Sequence, residues 1–155
     1  MKRLMLSLVL VGSLAACAVG ADTQPGSAPT TAASQAVGLQ AIRYQRTGGF
    51  AGTNDVIEIT ADGAVVVQGK LMGQAKGQLT ADQIKELAPL FKEWDKYAAS
   101  YPAPRGSADG FELKIRYGTR EVAASEMNAT LPASFKKIRE ALEKIAADLK
   151  EKPKQ

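Results

Sequence analysis

Cys17 is the residue whose type and position point most directly to a covalent reaction. It is the only cysteine among 155 residues, and residues 14–17 read L-A-A-C, the spacing of a bacterial lipoprotein signal. Lys2 and Arg3 give a positive start, and the apolar run at 4–14 is too short to span a bilayer comfortably. We therefore expect cleavage just before the cysteine and attachment of a diacylglyceryl group to its thiol.

Lipidation at Cys17 would also define a compartment. A single acyl chain binds membranes weakly, with a constant on the order of 10^4 per molar, so stable anchoring needs the additional chains that lipoprotein processing supplies. Ala18 follows the cysteine, so the aspartate cue for inner-membrane retention is missing. This favours the outer membrane, facing the periplasm, in a Gram-negative cell. The alternative is an ordinary secretory signal that leaves Cys17 as a free thiol.

The chain contains no histidine, which excludes several kinds of catalytic site. The imidazole general base and the Ser-His-Asp and Cys-His arrangements are unavailable, and the usual transition-metal ligands are missing too if the one cysteine is acylated. A carboxylate-based hydrolase would need two acids that converge in one pocket, and the acids form no recognisable motif. We therefore expect no enzymatic activity, no metal site and no cofactor. The available acids are Glu58, Asp62, Asp109, Glu112, Glu121 and Glu126.

The charge balance gives no support for a nucleic-acid partner. The formal net charge of +4 falls to +2 once Lys2 and Arg3 are removed with the signal. Late in the chain, lysines alternate with acids across residues 136–154. This alternation favours a solvated helix face over a binding patch.

The elements that would position a binding site follow a polar segment. Residues 1–16 form the predicted signal, and residues 17–38 are small, polar and proline-containing, which predicts a disordered tether. Such a tether has an end-to-end distance of roughly 25 Å and stretches to roughly 70 Å. One ordered domain is predicted at 39–150, followed by a charged tail at 151–155.

Alternating apolar and polar residues predict strands along much of this domain. Asp62 and Gly63 suit the tight turn between the second and third strands. Glycines recur every four residues from Gly69 to Gly77, so we expect an irregular edge strand or a loop at 70–78. The predicted strands cover residues 39–46, 55–60, 64–69, 111–117 and 121–124.

Two amphipathic helices are predicted. Thr80 and Gln83 form a capping box that starts a helix running to about residue 98, which Pro89 should kink or split. Apolar residues spaced three and four apart predict a second helix from Leu131 to Leu149, packed in the core rather than in a coiled coil. The predicted fold class is α+β, an antiparallel sheet of four to five strands with the two helices on one face.

A glycine-rich segment with one large ring is the first candidate contact site. Its residues are Gly48, Gly49, Phe50, Ala51 and Gly52. The glycines allow the backbone to bend sharply around the phenylalanine. Two interpretations are open: the ring is buried beneath the loop as part of the core, or it is presented to a partner.

A long loop at 102–109 is the second candidate contact surface, because its composition is rich in proline, glycine and small residues. Arg105 is its single strong cation.

Residues 44–52, Y-Q-R-T-G-G-F-A-G, resemble the R-x-G-G-F-A-G segment near the start of the emfourin family. The likeness continues through an Ala-Asp-Gly turn, a Leu79-Thr80 helix start, A-D-G-F at 108–111, Tyr117-Gly118 and Leu131-Pro132. It covers nearly all of residues 39–149. The glycine segment is moderately specific, and the other pieces are individually common, so their shared order carries the resemblance.

The resemblance implies a small protein inhibitor of thermolysin-type metalloproteases. Direct contact with the protease would come from the segment Gly48 to Gly52 or from Arg105. The inhibitor would act by occluding the substrate cleft of the protease, since no obvious zinc-chelating group is present. The family resembled here is leaderless, whereas this chain has an export signal and would meet secreted or envelope proteases. The alternative is a non-inhibitory cell-envelope module that recruits a protein or glycan through an open sheet face.

Overall fold

A computed structural model describes residues 38–107 and 109–151. The predicted signal peptide, Cys17 and residues 17–37 of the predicted tether lie outside the described residues. Within the described ranges, no helix is both long enough and apolar enough to cross a membrane.

Seven strands form one sheet. In sheet order they are β4, β3, β2, β1, β6, β7 and β5, and only the pairing of β5 with β7 is parallel. The strand bounds are β1 Ile42–Gly48, β2 Thr53–Ile59, β3 Ala64–Gly69, β4 Gly73–Gln78, β5 Ser100–Tyr101, β6 Phe111–Tyr117 and β7 Arg120–Ser125.

The α+β class is confirmed, but the predicted sheet of four to five antiparallel strands is wrong. Two extra strands account for the difference. β4 pairs with β3 along its whole length, because ladder hydrogen bonds need only the backbone. A Cβ built on Gly77 would lie 2.4 Å from Leu149 Cδ2, so the glycine leaves room for the helix above it. β5 has only two residues, so it is too short to be recognised from an alternation of apolar and polar residues.

Two strand predictions are confirmed at both ends, β3 at 64–69 and β6 at 111–117. The first strand begins at Ile42 rather than at residue 39, and it continues through Gly48 to the glycine segment. β2 starts at Thr53, two residues earlier than predicted. The later end of β1 and the earlier start of β2 lengthen the paired part of the hairpin at its turn, so the turn lies further from the centre of the sheet.

The helix predicted at 80–98 is divided, as Pro89 suggested. α1 covers Ala81–Leu87, and two short 3₁₀ turns follow at Ala88–Phe91 and Trp94–Lys96. The capping box is confirmed, since Thr80 Oγ1 accepts from Gln83 N at 3.2 Å and Gln83 Oε1 accepts from Thr80 N at 2.9 Å.

The second helix, α2, covers Ala133–Glu151 and supplies the core packing that its periodicity predicted. Its buried side chains are Phe135, Ile138, Leu142, Ile145 and Ala146. They pack with the inward face of the sheet in one hydrophobic core. The opposite face of the sheet carries exposed charged residues such as Lys114 and Glu121, so one face remains open to solvent.

Candidate functional site

The turns at one end of the sheet bring both sequence-predicted contact segments together. We call this end the loop end and define it by four connections: residues 49–52, 70–72, 102–110 and 126–130. β1, β3 and β7 all run towards it, and the first two connections join neighbouring antiparallel strands. β5 is parallel to β7 and so leads the 102–110 loop to the same end.

The glycines of the β1–β2 connection are required by geometry. Gly48, Gly49 and Gly52 have φ angles of +103°, +69° and +57°, which L side chains rarely adopt. A Cβ on Gly48 would lie 2.7 Å from the carbonyl oxygen of Gly110. The amide of Gly52 donates to Gly49 O at 3.0 Å and closes the turn.

Phe50 is 97% exposed, so the interpretation that its ring is buried beneath the loop is wrong. Phe111 is the ring that packs under this turn. A Cβ on Gly49 would lie 2.7 Å from Phe111 Cε1, which leaves no space there for a second ring. The loop is therefore supported from below and holds the Phe50 side chain in solvent.

Two further exposed apolar side chains lie at the loop end, and the sequence did not single them out. Leu71 is 50% exposed and Met127 is 45% exposed. With Phe50 they are the large hydrophobic side chains that are exposed within 38–107 and 109–151. Exposed apolar residues gathered at one place mark interaction surfaces more often than scattered ones do.

The connections of the loop end are joined to one another by hydrogen bonds. Lys70 Nζ donates to Ala51 O at 3.2 Å, which links the β3–β4 turn to the Phe50 loop. The amide of Gly49 donates to Gly110 O at 3.3 Å. Met127 lies against Gly110, because a Cβ built there would be 2.7 Å from its sulfur. The three exposed apolar residues thus belong to neighbouring, connected turns.

A buried carboxylate positions the β3–β4 turn. Asp55 Oδ1 accepts from the amides of Leu71 at 2.9 Å and Met72 at 3.2 Å, and Asp55 Oδ2 accepts from Arg46 Nη2 at 3.0 Å. Burial alone would raise the pKa of Asp55, but these hydrogen bonds and the Arg46 charge outweigh it and hold that pKa below its ordinary value.

Arg46 extends this network to the helix and to the Phe50 loop. Its Nη1 lies 3.4 Å from Glu143 Oε1 on α2, and the same oxygen accepts from the Tyr44 hydroxyl at 2.6 Å. The guanidinium carbon lies 5.0 Å from the ring centroid of Phe111, the residue under Gly49. Burial and the Glu143 partner raise the pKa of Tyr44, so its hydroxyl stays protonated as a donor.

Arg105 is exposed in the 102–110 loop, and this loop is held at its start. Asn128 Nδ2 donates to Pro102 O at 2.7 Å, while Asn128 Oδ1 accepts from the amide of Thr130 at 2.8 Å. Asn128 therefore connects two turns of the loop end. The sequence suggested Arg105 and the glycine segment as two alternative contact surfaces, whereas the topology brings both to one end of the sheet.

The carboxylates proposed for hydrolysis are solvent-exposed. Asp109, Glu112, Glu121 and Glu126 are all exposed; Glu121 lies near Arg116 and Glu126 pairs with Arg139. Among residues 38–107 and 109–151, no group of three or more Asp, Glu, His or Cys side chains could hold a metal ion.

Comparisons with known proteins identify no relative: no family model and no curated protein matches the chain.

Proposed function

We propose that the chain is a membrane-anchored inhibitor of thermolysin-type metalloproteases, which blocks the substrate cleft with its loop end. The observation that carries the proposal is the 97% exposure of Phe50 on a glycine turn. The likeness of residues 44–52 to the emfourin family suggests the class of target. No other phenylalanine of the described part of the chain is comparably exposed.

Physical considerations support the loop end as a binding surface. Burying a phenylalanine side chain contributes about 1.5–3 kcal/mol. Binding also costs about 0.5–1.5 kcal/mol for each flexible side chain that must become ordered. The turn beneath Phe50 is already closed by the Gly52–Gly49 bond and supported by Phe111, so less ordering is needed when a partner binds.

The charges at the loop end favour occlusion of a cleft over chelation of a metal. Lys70 and Arg105 are exposed cations, and neither forms an ion pair with a described carboxylate. Of the two exposed acids at this end, Glu126 is paired with Arg139, which leaves Asp109 as the other exposed acid. Cations repel a zinc ion and attract the carboxylates of an acidic cleft. We therefore propose that the partner's acidic surface, rather than its metal, meets these side chains.

Lipidation at Cys17 is part of this proposal and agrees with where the chain joins the domain. The amide of Gly118 donates to Ala41 O at 2.8 Å, and the Tyr117 hydroxyl donates to Gly38 O at 3.2 Å. Gly38 thus lies beside the far end of β6, opposite the loop end. An anchor attached before Gly38 would not obstruct Phe50.

The experiment is an inhibition assay with the full chain, purified in detergent, against several purified thermolysin-type enzymes. We expect a dose-dependent loss of peptidase activity that Phe50→Ala weakens at least 30-fold, as is typical of a central anchoring residue. A full-length chain that leaves every enzyme active at micromolar concentration would contradict the proposal.

A shallow depression on the open sheet face supports a second candidate, a non-inhibitory envelope-binding module. It measures about 200 Å³ and is lined by Arg43, Val56, Glu58, Val66 and Gln68. In that case Val66→Arg would abolish the recovery of an envelope protein or glycan with the full chain, and Phe50→Ala would not. The opposite pattern would favour inhibition through the loop end.

A further inference from the structure

We propose that the β3–β4 turn is a second contact element, and that Leu71 and Lys70 bind the same partner protein as Phe50 does. This inference rests on the proposed function and specifies the partner surface: an apolar pocket with an acidic rim. Both residues lie within the span of the resemblance to the emfourin family, but neither belongs to the short motifs that carry it.

The β3–β4 turn is fixed rather than free. Its backbone is held by Asp55, which accepts from two consecutive amides, those of Leu71 and Met72. The Met72 side chain is buried, with 8% of its surface exposed, whereas Leu71 beside it is half exposed. The turn is therefore anchored by one side chain and its backbone while it presents the next side chain to solvent.

The β3–β4 turn also lies next to the Phe50 loop. The Lys70 ammonium group donates to the carbonyl oxygen of Ala51, which is the residue after Phe50. A partner that buries Phe50 therefore also meets the Lys70 side chain. Two apolar anchors on separate, connected turns match a typical binding surface, in which a few clustered side chains provide most of the affinity.

Charge identifies the chemistry of the partner. Lys70 lies on one side of the turn, and on the other the Lys150 Nζ atom lies 3.6 Å from a Cβ position built on Gly73. Neither lysine pairs with a carboxylate of the described residues. A leucine between two unpaired cations suits an apolar pocket bordered by carboxylates.

The β3–β4 turn lies far from the point where the chain enters the domain. Gly38 lies at the end of the sheet opposite Leu71. A partner protein can therefore cover Leu71 and Phe50 together without contacting the chain that enters at residue 38.

The test measures inhibition of a thermolysin-type enzyme by four full-length variants. Leu71→Ala should raise the inhibition constant about tenfold. Lys70→Glu should slow association about tenfold at low salt, with a smaller effect at 0.5 M salt, because screening weakens steering between charges. Lys114→Glu makes the same charge change on the open sheet face and should alter neither quantity. Leu90→Ala is the matching leucine-to-alanine control, because Leu90 lies outside the loop end.

Each outcome separates the two proposals. Inhibition by the wild-type chain that is unchanged in Leu71→Ala and Lys70→Glu overturns the second contact element and leaves the proposed function standing. A wild-type chain that does not inhibit overturns both. Binding of the full-length Cys17→Ser chain to vesicles containing phosphatidylglycerol, lost in its Leu71→Ala form, would assign the turn to a membrane and overturn the protein partner.

Discussion

The buried carboxylate of Asp55 accepts a hydrogen bond from the backbone amide of Leu71 at 2.9 Å. A side chain on the second strand thereby fixes an exposed residue 16 positions further along the chain. The bond connects the interior of the sheet to its loop end, and it makes the shape of the exposed surface depend on one ionised group.

Replacing Asp55 should therefore destabilise the fold. Asp55→Ala leaves the mostly buried Arg46 guanidinium without its closest partner and two amides without an acceptor, so we expect a loss of about 3–5 kcal/mol in the free energy of unfolding. Asp55→Asn keeps an acceptor oxygen and should lose less. Urea denaturation of both variants measures the difference. Equal losses would show that the amide hydrogen bonds contribute little.

The lowered pKa of Asp55 predicts a stability that falls in acid. The folded protein holds this carboxyl below its ordinary pKa of 3.8, so the unfolded chain binds the proton more readily. The contribution of the Asp55 carboxylate to the free energy of unfolding is complete well above pH 4. It is lost as the pH falls through the lower pKa of the folded state. Urea midpoints measured from pH 7 to pH 2 should show this loss below about pH 4, and Asp55→Asn should show a shallower dependence. A variant with the wild-type profile would assign the acid sensitivity to other carboxyls.

Two glycines of the Phe50 turn form a matched pair for mutation. Gly52→Ala meets nothing within 4 Å and carries only the cost of a positive φ angle, about 1–2 kcal/mol. Gly49→Ala adds a clash with the Phe111 ring and should cost at least 1 kcal/mol more. Thermal or urea unfolding measures both. A Gly49→Ala chain as stable as Gly52→Ala would mean that the ring moves aside without cost.

Lipid anchoring has a direct test in Cys17. We expect the wild-type chain to sediment with membranes and Cys17→Ser to appear in the soluble envelope fraction, since its hydroxyl cannot form the thioether to the lipid. Fractionation followed by detection of the chain provides the measurement. A Cys17→Ser chain that stays fully with membranes would show that the cysteine is not the anchor.

The local features that the sequence predicted correctly share a short range. Alternation located β3 and β6, and the Thr80–Gln83 capping box located the start of α1, because each depends on neighbours a few residues apart. β4 was not recognised as a regular strand, since its pairing depends on β3 and its glycines make room for α2.

The loop end was predicted only in part. Phe50 and Phe111 are both phenylalanines near glycines, and only the assembled sheet decides which ring lies beneath the turn. No pattern in the sequence marked Leu71 as a contact residue, because its position depends on the hydrogen bond to Asp55. Nothing in the sequence marks that acid as buried, since its partners include two backbone amides.

The edge strand β4 has consequences for many copies of this chain held side by side on one surface. An unpaired strand edge is a template on which another chain can polymerise. Here the strand is only six residues long, and an exposed lysine, Lys76, stands in it. Two such edges that approach each other bring like charges together, so crowded copies should remain separate molecules rather than join into continuous sheets.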